Sequence, residues 1–469
     1  MALPDSSKVP REVLGVLSTL RAANRSAWLA GGCVRDLLRG AEAHDFDVAT
    51  AARPEEVQTI FARRDSGARR VVATGAQHGT VTVLAGDHAI EVTTYRGEGV
   101  YLDGRRPEHV TFLDSIDDDL ARRDLTINAM AWDPLAGELR DPFGGAKDLG
   151  AGLVRAVGDA AARFAEDGLR PLRAVRFATT LRFCLDRATR RAITSALPSF
   201  EKVAAERVRD ELTKILVSGR PPSRGLELLR RTGLLARIIP ELLDGVGFEQ
   251  NRWHAHDVYR HTLHTLDATP ATLLLRLSGL LHDIGKPRSA TMRDTSQPLS
   301  KKGEHHFYDH ERLGKRMALE ICERLRFPKR LGEEVALHVL EHNWHYRPEW
   351  SDGTVRRHAA RIGLEALEPQ WALRRADLLG RGRYVEEGLS NLDALVARFA
   401  SVLARDRALK ITDLALKGPD VMQALETGPG PQIGEALRWL LERVLDEPSH
   451  NTPEGLRKLL DGFKSSVKI

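Results

Sequence analysis

Leu29-Ala-Gly-Gly-Cys-Val-Arg-Asp-Leu-Leu38, followed by His44-Asp-Phe-Asp-Val48, is the stretch on which the fold turns. The Gly31-Gly32 pair opens a helix from Cys33. Glycines let a backbone approach a ligand closely, and free N–H groups at a helix start attract phosphate. Arg35 in the first turn adds a charge-assisted contact. Asp45 and Asp47 are two apart, so on a strand both side chains leave the same face. Two hard carboxylates on one face suit Mg²⁺ bound through carboxylates and substrate phosphates, a set that activates a hydroxyl and stabilises leaving pyrophosphate. Glu91, in Ala89-Ile-Glu-Val-Thr93, offers a third carboxylate from a neighbouring strand. A lone DxD or Gly-Gly is ordinary; the ordered set carries the signal. Asp36 reads as a helix-face charge or a partner for an arginine.

Outward from this stretch, Arg11 to Ala23 reads as a helix, and Val71–Thr74, Thr80–Leu84 and Ala89–Thr94 read as strands separated by turn residues. After the turn cluster Asp141-Pro-Phe-Gly-Gly145 the strand signals almost vanish and the pattern is helical, broken at Pro221-Pro222, Pro240, Pro270, Pro287 and Gly428–Pro431. Asn251 to Tyr346 is rich in histidine, and the chain beyond about Glu387 is Leu-rich and amphipathic. A length of 469 residues excludes a single small binding module. A net charge of +5 permits an acidic partner without demanding one. Three scattered cysteines exclude a disulfide framework or a Cys-rich zinc site and fit a reducing compartment. The N-terminus lacks a secretory pattern, and the most apolar run, Leu273 to Leu281, is short and contains Arg276. The expectation is a soluble, cytoplasmic protein.

Two further segments look like a nucleotide reader. In Arg122-Arg-Asp-Leu-Thr-Ile-Asn128, the side chains of Arg123, Asp124 and Asn128 suit a ribose hydroxyl and phosphates, although Asp124 also suits a helix cap. From Ala161 to Arg191 there are eight arginines, no lysine and three acids, a bias that planar bidentate contacts explain better than solubility does. Asp167 and Arg170 are three apart, which on one helix makes them neighbours. A carboxylate acceptor beside a guanidinium donor complements the edge shared by cytosine and adenine and repels guanine and uracil. Arg173 and Arg176 continue that face toward phosphates or bases. The commoner fate of such spacing is a solvated surface ion pair.

The ordered segments LAGGCVRDLL, HDFDVAT, GTVTVL, IEVTTYR, RRDLTINAM, DPFGG and FAEDGLRPLRAVRFA, with Glu206-Arg-Val-Arg-Asp-Glu-Leu212 beyond them, resemble the class II CCA-adding tRNA nucleotidyltransferase and bacterial poly(A) polymerase family. The resemblance covers about Trp28 to Leu216. It implies that Asp45 and Asp47 bind catalytic metals, that Gly31, Gly32 and Arg35 hold the triphosphate, that Arg123, Asp124 and Asn128 read the ribose, and that Asp167 and Arg170 template CTP and ATP. The family's flexible loop falls at Arg96 to Val110, where its presence goes with full CCA addition. The basic signature of the poly(A) polymerase branch is not evident.

A third constellation is His261, His282-Asp283, His310, His342 and Asp377. His282-Asp283 ends an apolar run, so a helix finishing there turns an imidazole and a carboxylate toward one metal, a mixture suited to Mn, Ni, Fe, Zn or Mg. Such a metal lowers the pKa of water for phosphoester hydrolysis. Leu280-Leu-His-Asp-Ile-Gly-Lys286 resembles the HD phosphohydrolase superfamily over about Asn251 to Leu379. That resemblance implies His261, His282, Asp283 and Asp377 as ligands, with His310 and His342 as extra ligands or phosphate contacts. His254, His256, His305, His306 and His345 surround the site or lie on the surface.

The expected fold is multidomain: an α/β nucleotidyltransferase head with a small mixed sheet (1–145), an all-α neck for base recognition (146–245), an HD body (246–385) and a helical tail that binds tRNA (386–469). The expected function is template-independent addition of C, C and A to tRNA 3′ ends from CTP and ATP with Mg²⁺. The HD site would take a divalent transition metal or Mg²⁺ and hydrolyse phosphoester ends, as in RNA repair. A poly(A) polymerase, an A-only or CC-only adder, and an HD phosphohydrolase with a nucleotide- or RNA-gripping head remain alternatives. The expected partners are tRNA, CTP and ATP, no membrane, and either no second copy or one.

Overall fold

A computed structural model describes residues 3–62, 70–76, 79–97, 111–250, 253–291, 307–344, 349–405 and 409–467. Part of the Arg96 to Val110 loop, residues 98–110, lies outside them, as do His305, His306 and His345. The chain forms two compact units: Met1–Pro240 with Arg324–Arg326, and Glu241–Glu323 with Phe327–Ile469.

The first unit begins with a seven-stranded mixed sheet: β1 (Ala27–Ala30), β2 (Asp47–Thr50), β3 (Arg70–Gly75), β4 (Thr80–Ala85), β5 (His88–Thr94), β6 (Ala131–Asp133) and β7 (Glu138–Arg140), in the order β3-β4-β5-β2-β1-β6-β7. Only β2 and β5 pair in parallel. The segments read as strands at Thr80–Leu84 and Ala89–Thr94 are strands, and their side chains alternate between faces. Val81, Val83, Ile90 and Val92 are buried, while Thr80, Glu91 and Thr93 leave the other face into a cavity. Helices Arg11–Ala22 and Pro54–Phe61 pack against the sheet and bury Val13, Val16, Leu17, Leu20, Val57 and Phe61.

Beyond Gly145 the regular elements among the described residues are helices, except for a two-residue parallel pair, Leu153–Val154 with Cys184–Leu185. The turn Asp141-Pro-Phe-Gly-Gly145 starts this region by capping. The Asp141 carboxylate accepts from Gly145 N (2.6 Å) and Ala146 N (2.9 Å), which satisfies two donors otherwise orphaned at a helix start.

In the second unit, helices Val258–Ala268, Leu273–Leu281, Lys329–Leu340 and Leu364–Arg381 pack together. Asp257 caps the first through Arg260 N (2.7 Å) and Thr272 the second through Leu275 N (3.4 Å). Further helices to residue 467 enclose a separate core of Leu414, Leu440, Leu456 and Phe463. Among the described residues no helix is long and apolar enough to cross a membrane.

Candidate active sites

The first site is a cavity of about 500 Å³ in the first unit. Asp47 and Glu91 are direct partners across the parallel β2–β5 pair, so both carboxylates leave the same face, and both line the cavity. Burial, with the Glu91 charge adding to it, pushes Asp47 up to about 6, and the nearby Asp45 charge acts the same way. Two carboxylates held this way are short of positive charge, which suits a cation between them.

Asp45 departs from the expectation. The strand begins only at Asp47, and Asp45 lies exposed in the bend before it. The ladder explains this: the first β2 residue with a partner is Asp47, so no strand geometry fixes Asp45.

Gly31 and Gly32 line the cavity between β1 and helix Gly32–Leu38. Gly31 has φ +82°, and a Cβ there would lie 2.5 Å from Arg123 Nη1. The left-handed conformation calls for glycine, and a side chain there would also displace the end of Arg123 from the cavity wall. Arg35 donates to Asn128 Oδ1 (2.7 Å) and to both Asp36 oxygens (2.9 and 2.7 Å), so Asp36 is an arginine partner.

Asp124, Asn128 and Arg173 form a buried knot. Asp124 accepts from Leu125 N (2.9 Å), Asn128 Nδ2 (3.3 Å) and Arg173 Nε (2.7 Å). Burial alone would raise this carboxyl, but the Arg173 charge and these donors outweigh it and hold it near 2. Asp124 thus caps no regular α-helix; a short 3₁₀ turn, Thr126–Asn128, follows it.

Asp167 and Arg170 both line the cavity, but not as neighbours on one helix. Asp167 ends helix Ala160–Glu166 in an extended conformation, and Arg170 opens the next helix, Arg170–Thr180. The periodicity breaks at Asp167, whose carboxylate accepts from Leu169 N (2.9 Å). Each is held by another partner: Asp167 Oδ2 by Arg207 Nη2 (2.8 Å), and Arg170 by Glu166 (2.5 Å), Arg163 O (2.9 Å) and Arg122 O (3.0 Å). Arg173 lines the cavity, whereas Arg176 is absent from its lining. Arg176 pairs with Glu211 (2.5 Å) and stacks 3.6 Å from the Phe177 ring centroid.

The sequence reading missed Asp119, which holds Arg122 (2.7 and 3.0 Å) and Arg123 (3.2 Å) at the cavity wall. The signal was the spacing: Asp119, in the last turn of the short helix Ile116–Ala121, precedes these arginines by three and four residues.

The second site lies within the second unit. His282 follows the last residue of helix Leu273–Leu281, as the apolar run predicts. A Cβ on Gly285 would lie 2.3 Å from His310 O, so the Ile-Gly-Lys turn brings the His310 helix close by lacking a side chain. His282, His310 and His342 each place Nδ1 against a backbone carbonyl: Gly279 O (2.8 Å), Phe307 O (2.6 Å) and Val339 O (2.7 Å). A carbonyl only accepts, so Nδ1 carries the proton and Nε2 presents a lone pair.

Those lone pairs converge. His282 Nε2 is 3.0 Å from His261 Nε2, and His310 Nε2 is 3.4 Å from His342 Nε2. Asp283 lies between the two groups. Its Oδ2 is 3.2 Å from both His261 and His282, and its Oδ1 is 3.3 Å from His342 and 3.6 Å from His310. Asp377 Oδ1 is 3.2 Å from His261 Nε2. Asp283 Oδ1 is buried without a hydrogen-bond partner. Converging lone pairs around an unsatisfied carboxylate oxygen fit a divalent cation. The donor sets are His261, His282 and Asp377, and Asp283, His310 and His342, with His254 beside His261 and Asp283. All six ligands expected from the sequence therefore come together. Three cations were missed: Lys286 on Asp283 Oδ2 (2.6 Å), and Arg374 (2.7 Å) and Arg381 (3.2 Å) on Asp377 Oδ2. Burial works against ionisation of both carboxyls, yet the Lys286 charge beside Asp283, and the Arg381 and Arg374 charges beside Asp377, help hold them well below the usual carboxylate range.

This combination of sheet head and histidine-rich helical body defines a class. Residues 27–155 match the family described as Poly A polymerase head domain, 182–245 the probable RNA and SrmB- binding site of polymerase A, 248–385 the HD domain, and 386–460 tRNA nucleotidyltransferase domain 2. A CCA-adding enzyme of Lactiplantibacillus plantarum is 34% identical over 94% of this chain and 93% of its own length. One from Lactobacillus helveticus is 47% identical over 44% of this chain and 49% of its own. Against that second relative the match spans about half of its length. The crystal structure of the Bacillus stearothermophilus CCA-adding enzyme in complex with CTP aligns with a TM-score of 0.72 at 28% identity, covering 98% of each chain. The chain belongs to the class II CCA-adding enzyme family.

Proposed function

We propose that this chain adds C, C and A to tRNA 3′ ends from CTP and ATP, and that its HD body hydrolyses phosphoesters. The observation that carries the first part is one cavity holding the Asp47–Glu91 pair together with Asp167 and Arg170. The tRNA 3′-hydroxyl attacks the α-phosphate in line, and pyrophosphate leaves. Asp45, Asp47 and Glu91 would hold Mg²⁺, which when bound makes the hydroxyl more acidic and neutralises the leaving group. The N–H groups at Gly31 and Gly32, with Arg35, hold the triphosphate. Arg123, Asp124 and Asn128 take the ribose. Asp167, whose oxygens accept from Leu169 N (2.9 Å) and Arg207 Nη2 (2.8 Å), would use a second lone pair to accept from the exocyclic amino group of cytosine or adenine, and Arg170 would donate to the ring nitrogen beside it. The head, neck, body and tail are proposed to divide at 145, 245 and 385, with the tail on the tRNA body.

The deciding experiment incubates tRNA lacking its terminus with each nucleotide alone and together. CTP alone is expected to add two residues, and CTP with ATP three, then stop. Failure to incorporate CTP, or a tail running past one A, overturns the reading. Asp167→Ala should also lower the preference for CTP over UTP by roughly ten- to a hundredfold, because the wrong base no longer buries an unpaired group.

In the body, His261, His282, Asp283 and Asp377 would hold one divalent ion, and Asp283, His310 and His342 a second. Such ions supply Lewis-acid activation of a phosphoester. Lys286, Arg374 and Arg381 keep the two carboxylates ionised and oriented. Metal analysis of the full chain is expected to find up to two ions. The His310→Ala, His342→Ala double variant should keep one, and chelation should lower the melting temperature. A chain that retains no ion after loading with Mn²⁺ or Ni²⁺ would rule the reading out.

A further inference from the structure

We propose that the mouth of the His/Asp pocket is a nucleobase subsite in which Trp253 and Tyr384 are the stacking rings. The pocket would then select nucleoside phosphates over phosphate esters that lack a base. The proposal rests on the phosphoester reading of that pocket.

Trp253 and Tyr384 are 43% and 56% exposed, although large aromatic side chains are ordinarily covered. Their ring centroids are 5.1 Å apart at an interplanar angle of 60°. Both line the same cavity as Asp283, His310 and His342. At about 430 Å³ that cavity exceeds what a phosphate or a short alkyl phosphate needs and suits a ligand of nucleotide size.

Tyr384 carries a second mark. It has φ +53° between helices Leu364–Arg381 and Val385–Arg405. A bulky side chain in the left-handed region is costly and persists where its surroundings hold it, often at a ligand site.

The rest of the lining supplies the other half of a nucleotide. Lys286 and Arg381 line the cavity beside the metal-type ligands and offer charge to a phosphate. A base stacked on one ring meets the edge of the other, an arrangement that tolerates any base because every base has a π-face.

The test uses the full chain in Mg²⁺, titrated calorimetrically with uridine 3′-monophosphate and with glycerol 2-phosphate. Uridine is chosen because the Asp167–Arg170 reading has the head reject it. The native chain is expected to bind the uridine nucleotide more tightly than glycerol 2-phosphate. Trp253→Ala and Tyr384→Ala should each weaken the nucleotide about 5- to 100-fold and leave glycerol 2-phosphate unchanged. Trp253→Phe and Tyr384→Phe should recover most of the loss. Unchanged binding of glycerol 2-phosphate shows that the body carrying the variants is folded.

Equal loss for both ligands, or no loss for either, overturns the proposal. If the native chain binds the nucleotide in a ring-dependent way but hydrolyses no phosphoester with any metal, the hydrolase reading fails and the subsite stands. An oligouridylate ending in a 3′-phosphate distinguishes the sources. Tighter binding than the mononucleotide upholds the subsite with an RNA end as ligand, and equal binding upholds it with a free nucleotide.

Discussion

Asp47→Asn is expected to abolish terminal transfer while making the metal-free chain more stable. The loss of activity follows from removing a carboxylate that would hold Mg²⁺, a contribution of about 4 kcal/mol or more, roughly a thousandfold in rate. The gain in stability follows from linkage. Folding raises Asp47 from its ordinary 3.8 to about 6. The folded state therefore binds the proton more tightly than the unfolded one, and ionising Asp47 opposes folding. That penalty is absent below about pH 4, grows as pH rises toward 6, and is constant above. The difference corresponds to about 3 kcal/mol at most, and partial solvent access reduces it to about 1–2 kcal/mol. Asparagine cannot ionise and escapes it. Urea melts in chelator at pH 7.5 should show the variant more stable. The two chains should converge near pH 4, and Mg²⁺ should favour the native chain. A native chain that is the more stable one in chelator at pH 7.5 contradicts the account.

Asp124→Ala is expected to cost both stability and nucleotide use. Its removal strips a carboxylate from Arg173 Nε, Asn128 Nδ2 and Leu125 N together. Breaking a fully buried ion pair costs about 3–5 kcal/mol. Here the Arg173 side chain is 32% exposed and Glu211 stands 3.8 Å away, so about 2–3 kcal/mol is expected. Because folding lowers this carboxyl from 3.8 to about 2, its share of stability is present above pH 4 and fades as pH falls through 2. Asp124→Asn, which keeps two of the hydrogen bonds without the charge, should lose about half as much. Denaturant midpoints and kcat/KM for CTP check the series. An alanine variant as stable as the native chain at pH 7 would refute the knot.

Much of this was legible in the sequence because its signals are local. The alternation in Thr80–Leu84 and Ala89–Thr94 states which face is buried, and the Glu91 face follows from it. The apolar run into His282-Asp283 fixes a helix end, and the other members of the His/Asp set follow from the resemblance of Leu280–Lys286 to the HD superfamily. What escaped depends on other segments. Asp45 is two residues from Asp47, yet the strand starts where a neighbour offers a partner. Asp167 and Arg170 have helical spacing, but one helix ends at Asp167 before the next opens at Arg170. Arg176 continues an arginine series but is claimed by Glu211 from a helix more than thirty residues on. Tyr384 carries no motif, and its meaning comes only from a cavity wall assembled by distant helices.

The helix Ala205–Ser218 carries Arg207 and Glu211, one turn apart. The first grips Asp167, and the second grips Arg176 and stands near Arg173. The groups proposed to read the base and the sugar thus hang from one lever. A substitution that tilts this helix shifts both at once, so fidelity for cytosine and for adenine would drift together instead of being traded one against the other.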